Sequence, residues 1–379
     1  MIRVLNVLFD DRYGGPQKRA IQVARALAGR VETLLCLPDR SGNAAAIAER
    51  EGVAVRRLCF ERIPRLRNWR QLARWFLHLP RDTRRFVALY RGEGPDVVHV
   101  NGVFFLPPAL AAKLTRTPLV WHLNDTVMPA GLARVFGFVV RRLADQVVVS
   151  SRAVAGHYHV LGSQPEVLYP PVDPSALALP PRTRRDLQRT PYRMGMIANW
   201  NPEKGVEHFI RAAARVREQV GDNLELVFAG GKYASQADYC RRLEELIHQL
   251  GLAPRVRDYG FVPSVAEVLA ELDVLVSSSL SEAFGMSILE GMAAGVPVVA
   301  TGVGGVPELL LADAERPAGI VIPSRDEAAL AEALLELWRN PEKAARLGEN
   351  GRQIAGERFG VEACAERHLR VYSNCRRER

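Results

Sequence analysis

Two carboxylates eight positions apart, Glu282 and Glu290, bracket Ala283-Phe284-Gly285-Met286-Ser287 in the run SEAFGMSILEGMAAGVPVVATGVGGVPE that begins at Ser281. A helix opening at Gly285 points its free N–H groups and the positive end of its dipole at an anion. Glu282 then sits just outside that N-terminus and Glu290 about two turns inside it. One carboxylate serves the reacting end of a ligand and the other a polar group further along. The arrangement suits a phosphate flanked by hydroxyls.

Other side chains capable of chemistry stand at the ends of apolar runs. The loop Asp10-Asp11-Arg12-Tyr13-Gly14-Gly15-Pro16-Gln17 follows the first run, and its two glycines let backbone approach a ligand with no side chain in the way. Its plainer reading is an ordinary strand-to-helix turn. The loop Ala198-Asn199-Trp200-Asn201-Pro202-Glu203-Lys204-Gly205 holds Lys204 near a helix start, where an ammonium can act as a point charge on phosphate or can simply be a solvated surface residue. His122, in VWHLND, and His99, in DVVHVNG, both end apolar strands, and sequence does not separate a structural from a functional role for either. No His, Asp and Glu set has metal-ligand spacing, and neither an Asp-x-Asp pair nor a Walker A loop is present. The expectation is therefore of no metal and no resident cofactor. Gly302-Val303-Gly304-Gly305-Val306-Pro307 imitates a dinucleotide loop, but proline stands where the last glycine is needed and the loop comes late in the chain, which argues against hydride chemistry.

The elements that must position these groups alternate. In the first half, strands are predicted at residues 3–9, 31–37, 53–59, 96–100, 119–122 and 146–149, with helical spacing over 17–27 and 131–144. Residues 170–193 hold six prolines and five arginines with little periodicity and read as a linker. Alternation resumes with strands at 194–198, 224–228, 256–261, 274–277, 296–300 and 320–322, and helices at 326–338 and 361–372. Strand–helix alternation on this scale, in 379 residues of which 48% are apolar, predicts two doubly wound parallel-sheet α/β domains. Ligands in such sheets bind beyond the carboxyl ends of the strands, where the loops above lie. The expected division is 1–175, a linker at 176–193, 194–358, and a C-terminal helix at 359–379 that crosses back to the first domain.

Charge and cysteine usage narrow the setting. Residues 1–180 carry 25 Lys and Arg against 14 Asp and Glu, whereas the whole chain is only +9, so the basic excess belongs to the first half and points to an anionic partner there. Residues 56–91 alone hold eleven arginines against Glu61, Asp82 and little else acidic. Trp69, Leu72, Ala73 and Phe76 fall on one helical face and Arg67, Arg70 and Arg74 on another, as in a helix lying on anionic lipid; packing on the domain's own sheet needs the same period. The five cysteines are scattered and form no CxxC pair, which reads as reduced thiols. The amino terminus looks like a first strand rather than a signal peptide, and every long apolar run is interrupted by Gly, Pro or charge. A cytoplasmic protein, peripheral on the inner face of a membrane through residues 56–91, is the expectation.

Taken in order, these segments resemble the retaining group 1, family 4-like glycosyltransferases with the GT-B fold. The landmarks are GGPQ at 14–17, PDVVHVNG at 95–102, VWHLND at 120–125, ADQVVVSS at 144–151, VLYPPVD at 167–173, PEKG at 202–205, VFAGG at 227–231, YGFV at 259–262 and the Glu-x7-Glu run from Ser281. The resemblance implies two Rossmann-like domains across a cleft, and transfer of a sugar from a UDP- or GDP-linked donor to a glycan, lipid-linked saccharide or small molecule, with retention and without metal. It implies that Glu282 contacts donor-sugar hydroxyls and that Glu290 contacts the ribose. Main chain at Phe284, Gly285 and Met286, with Ser287, would hold sugar and pyrophosphate. Lys204 would neutralise the leaving pyrophosphate, and main chain near Phe261 and Val262 would flank the base. Gly14 and Gly15 would close on the donor, and His122 would reach the sugar. One departure stands out: the family commonly has Gly-Arg ahead of Lys-Gly, and this chain has Ala198-Asn199, which can donate a hydrogen bond but brings no charge. A nucleotide-sugar epimerase of the same fold and a non-catalytic nucleotide-binding protein are the rival readings; no nucleic-acid partner is expected.

Overall fold

The computed structural model describes residues 1–61, 69–103, 105–126, 128–160, 162, 164–172, 174–180 and 190–377. They divide into two compact units, Met1–Pro171 with Val361–Arg379, and Val172–Gly360. The division falls just after Pro171, ahead of the predicted linker at 176–193, of which residues 181–189 lie outside the described residues.

The first unit runs β1 (Ile2–Val7), α1 (Gly15–Ala26), β2 (Val31–Pro38), α2 (Ala44–Arg50), β3 (Ala54–Leu58), α3 (Trp69–Glu93), β4 (Val97–Asn101), α4 (Leu106–Thr115), β5 (Leu119–Leu123), α5 (Ala130–Leu143), β6 (Gln146–Val149), α6 (Arg152–His157) and β7 (Glu166–Val167). Its seven strands are all parallel, in the order β3-β2-β1-β4-β5-β6-β7. The central strands are covered on both faces, which is why β4 (VVHVN) and β5 (LVWHL) are buried at every position. The second unit holds α7 (Pro174–Leu177), β8 (Tyr192–Ile197), α8 (Val206–Val220), β9 (Leu224–Ala229), α9 (Ala237–Gln249), β10 (Val256–Asp258), α10 (Ala266–Glu271), β11 (Val274–Ser277), α11 (Met286–Ala293), β12 (Val298–Thr301), α12 (Val306–Leu310), β13 (Gly319–Ile322), α13 (Glu327–Arg339) and α14 (Pro341–Arg358). Its sheet is also parallel, ordered β10-β9-β8-β11-β12-β13. The last helix, α15 (Val361–Arg377), belongs to the first unit, where it packs on α1, β1, β4 and β5.

Three departures from the sequence reading have physical causes. α14 went unread because its buried side is a narrow stripe of Leu347, Gly348, Gly351, Ile354 and Ala355 in an otherwise charged helix. Gly348 is there because a Cβ would lie 2.2 Å from the Gly295 carbonyl oxygen. β10 stops at Asp258, three residues early, because Gly260 turns with φ +60° and its carbonyl is taken by the Gly230 N–H at 2.7 Å. α3 packs on its own unit by a face other than the one that the sheet-packing reading uses, and the lipid-contact reading is not decided by this. Trp75, Asp82, Phe86 and Tyr90 point inward, and Phe86 packs against Phe60 and Phe105 at 5.4 and 6.0 Å, whereas Ala73 is exposed and Phe76 and Leu77 are 52% and 79% exposed. Glu61 and the buried Asp82 gather Arg74, Arg81 and Arg85, so part of the basic stretch is paired within the unit. Arg67 lies outside the described residues.

Candidate active site

In each unit the strand order reverses at one place, and the loops leaving the two strands there open a crevice beyond the carboxyl edge. In the second unit that place is between β8 and β11, so the crevice is made by residues 198–205 and 278–285. These are the two loops that carry Lys204 and Glu282.

The loops are stapled together. Ser278 Oγ donates to the Gly205 carbonyl at 2.8 Å, and the Leu280 N–H donates to the Glu203 carbonyl at 2.7 Å. Gly205 has φ +59°, and a Cβ there would lie 2.2 Å from the Ser278 carbonyl oxygen, so only glycine permits the approach. Asn201 caps the short 3-10 turn Pro202–Lys204 by accepting from the Lys204 N–H at 3.2 Å. The result brings Lys204 Nζ to 2.5 Å from Glu282 Oε1, and Ser279 Oγ donates to the same oxygen at 3.0 Å. Thr301, at the end of β12, donates to the Ser279 carbonyl at 2.5 Å and anchors this loop to the sheet. The Glu282 side chain is 11% exposed and that of Lys204 30%, so the pair is shielded yet reachable.

α11 starts immediately behind. Gly285 is its N-cap with φ +105°, no side chain caps it, and Met286 and Ser287 are half-buried. Its first N–H groups are therefore directed at the same crevice as Lys204. Glu290 is buried on α11 at 6% exposure. Phe284 contributes main chain only, since its ring is buried edge-on against Phe359 at 5.7 Å. The Phe261 side chain is 50% exposed, and Val262 beside it is half-buried. Asn199, which replaces the expected arginine, accepts from the Gly231 N–H at 2.8 Å, so its oxygen holds the β9 loop and only its amide N–H groups face elsewhere. Lys232, on the loop that Asn199 holds, pairs with Glu244 and Asp258 at 2.9 and 2.8 Å.

The loop before α12 is the most constrained part. Gly304 has φ +54°, and a Cβ there would lie 1.5 Å from the Glu282 carbonyl oxygen, which also accepts from the Gly305 N–H at 3.3 Å. Gly304→Ala is expected to displace Glu282 and to destabilise the second unit by about 3 kcal/mol or more, from backbone strain plus the clash. Gly356→Ala, in open space on α14, should instead be neutral or stabilising by up to about 1 kcal/mol. Paired thermal melts of the two variants check both statements.

In the first unit the reversal lies between β1 and β4, at the loop that holds Gly14 and Gly15. Gln17 Nε2 donates to the Asp10 carbonyl at 2.9 Å and Asn43 accepts from the Tyr13 N–H at 2.9 Å, which fixes the loop, while Gly14 itself remains exposed. His122 departs from expectation. It lies within β5, fully buried, with Nε2 3.0 Å from Arg19 Nη1 and Nδ1 3.2 Å from His99 Nε2. Neither ring nitrogen is free for a ligand. His99 in turn meets the Tyr372 hydroxyl at 2.8 Å, and Arg19 donates to Asn101 at 2.5 Å. Burial holds the His99 and His122 rings well below the usual histidine range, and the Arg19 guanidinium adds to this; the same burial brings Arg19 down to about 10. The signal that could have found this network was a polar residue inside a fully apolar parallel strand, which must be paired. Among the described residues no three His, Cys, Asp or Glu side chains come together as metal ligands.

The comparisons agree with these features. Residues 182–354 match the family model for glycosyl transferases group 1, and residues 13–176 match that for glycosyltransferase family 4. The chain belongs to the group 1, family 4-like glycosyltransferases. It is 30% identical over 267 residues to the MMP alpha-(1->4)-mannosyltransferase of Mycolicibacterium hassiacum, covering 69% of this chain and 60% of that protein. It is 30% identical over 298 residues to the D-inositol 3-phosphate glycosyltransferase of Streptomyces avermitilis, covering 70% of this chain and 62% of that protein. The match thus spans less than two thirds of the length of these curated relatives. The solved structure of Anabaena Alr3699/HepE in complex with UDP-glucose superposes with a TM-score of 0.81 at 22% identity, covering 99% of this chain and 100% of that one. The fold is GT-B.

Proposed function

We propose that this protein transfers a sugar from a nucleoside diphosphate donor to an acceptor, with retention of anomeric configuration and without a metal. The Lys204–Glu282 pair in front of the uncapped α11 N-terminus is the observation that carries the reading. A donor diphosphate competes with Glu282 for Lys204 and takes the α11 N–H groups, Ser287 and the Asn199 amide as further donors. Glu282, released from its partner, accepts from hydroxyls of the donor sugar. Glu290 accepts from the ribose, and main chain at Phe261 and Val262 lies along the base. As the bond to the diphosphate breaks, Lys204 and the α11 N-terminus stabilise the growing charge, and the departing phosphate takes the acceptor proton.

The acceptor, a glycan, a lipid-linked saccharide or a small molecule, is assigned to the basic first unit, whose Gly14 and Gly15 offer main chain to the donor. His122 is given a positioning role through Arg19, since its ring is occupied. No disulfide joins the five cysteines, which suits a reducing, cytoplasmic setting.

A thermal-shift panel of UDP- and GDP-linked sugars tests the reading, UDP-glucose first because of the ligand in the Anabaena structure. A true donor at a hundred times its dissociation constant should stabilise by about 2.7 kcal/mol. Retention is read from the anomeric coupling of the product by NMR. Conversion of the donor sugar with no acceptor present identifies an epimerase instead, and a shift with no turnover on any acceptor identifies a binding protein.

A further inference from the structure

Six of the nine large hydrophobic side chains exposed among the described residues, Phe76, Leu77, Leu114, Leu132, Val135 and Phe138, belong to α3, α4 and α5. The crossovers β3-α3-β4, β4-α4-β5 and β5-α5-β6 all step the same way across the sheet, so right-handed connection puts these helices on one face of the first unit. α4 packs on both α3 and α5, as that layering requires.

α5 is apolar on two sides. Its inner side, Ala133, Phe136, Gly137 and Val140, is buried against the unit, with Gly137 so close that a Cβ would lie 1.8 Å from the Tyr158 carbonyl oxygen. Its outer side presents Leu132, Val135 and Phe138 at three-residue spacing, 37%, 59% and 62% exposed. The helix contains no acidic residue. Arg134, Arg141 and Arg142 are exposed around this stripe, and none enters an ion pair with a described residue. In α3, by contrast, Arg74, Arg81 and Arg85 are drawn to Glu61 and Asp82. Phe76 and Leu77 stand in the early turns of α3, and Leu132 and Val135 in the first half of α5 with Phe138 just past its middle, so most of these side chains lie toward the carboxyl edge of the sheet.

We propose that the outward face of α5, together with the early turns of α3, seats on an anionic lipid surface. An apolar stripe that has no core to fill and is bordered by charges of one sign fits an interface of acyl chains beneath negative headgroups. The inference is independent of the proposed transfer reaction and moves the anionic contact from residues 56–91 as a whole to α5 and the start of α3.

The experiment is co-sedimentation of the full chain with vesicles of phosphatidylcholine, alone or mixed with phosphatidylglycerol. Binding to the mixed vesicles, weakened by salt, is expected, with Val135→Asp/Phe138→Asp reducing it by about tenfold or more. Arg141→Gln/Arg142→Gln should remove the preference for phosphatidylglycerol, and Leu311→Asp, at an exposed position of the second unit, should change nothing. Unchanged thermal melting of the α5 variants shows that they fold. The proposal is overturned by failure of the unmodified protein to sediment with either vesicle, or by a Val135→Asp/Phe138→Asp protein that binds as before. A dimer that this double substitution dissociates assigns the face to a second copy of the chain and overturns it equally.

Discussion

Glu282→Gln is expected to lower sugar transfer by about a hundred- to a thousandfold while leaving nucleoside diphosphate binding intact or tighter. The two readouts diverge because of the pairing in the crevice. In the unliganded protein Glu282 Oε1 holds both the Lys204 ammonium and the Ser279 hydroxyl. A diphosphate must draw Lys204 away from this carboxylate, so removing its charge lifts a competitor for the ammonium. The same change deletes the acceptor proposed for donor-sugar hydroxyls, where a hydrogen bond to a charged group contributes about 1.5–3 kcal/mol and its effect grows in the transition state. Lys204→Ala is expected to do the reverse, weakening diphosphate binding by about ten- to a hundredfold. It also leaves Glu282 without its cation, so the double variant should bind nucleotide better than Lys204→Ala alone, and by more than the single effects added together predict. Calorimetry with the nucleoside diphosphate, beside single-turnover transfer, separates the two. Full transfer activity in Glu282→Gln, or nucleotide binding lost equally in both single variants, would remove Glu282 and Lys204 from these roles.

What could be read from the chain alone was whatever depends on local pattern. β6 and β11 were placed to the residue, and the other main strands within a few, because strands covered on both faces are near-continuous apolar runs bounded by glycine and polar loops. The crevice loops were also legible, since Gly205, Gly285 and Gly304 mark left-handed backbone that glycine favours. Contacts between distant segments were not. Nothing near Lys204 signals that its ammonium meets a carboxylate 78 residues away. Nor does VWHLND reveal that His122 faces Arg19 of α1 rather than the crevice, because a strand's two faces look alike when both are buried. The two readings of α3 stayed open for a related reason. An Arg-rich amphipathic pattern names two candidate faces, and the choice was made by Phe60 and Phe105, which lie outside the helix.

The buried network around Arg19 should make the first unit acid-labile. His99, His122 and His368 are 1%, 0% and 2% exposed, and burial first, then the charge of Arg19 or the neighbouring rings, holds each well below its unfolded value of about 6.5, with His368 at about 3. Below about pH 6.5 the unfolded chain therefore binds protons that the folded chain does not. Stability is full above that point and falls as pH drops, by about 1.4 kcal/mol per pH unit for each histidine. All three act in the same direction, so the loss of stability steepens as the pH falls further below that point. The other groups facing them do not offset this: Cys364 and Tyr372 are pushed up by burial and stay neutral throughout, and Arg19, at about 10, stays cationic. Urea unfolding between about pH 7.5 and 5 gives the slope directly, and His368→Gln should flatten it by about a third, whatever it does to stability at neutral pH. A slope that His368→Gln and His122→Gln both leave unchanged would mean that these rings are protonated in the folded protein, and that the Arg19–His122 contact is made another way.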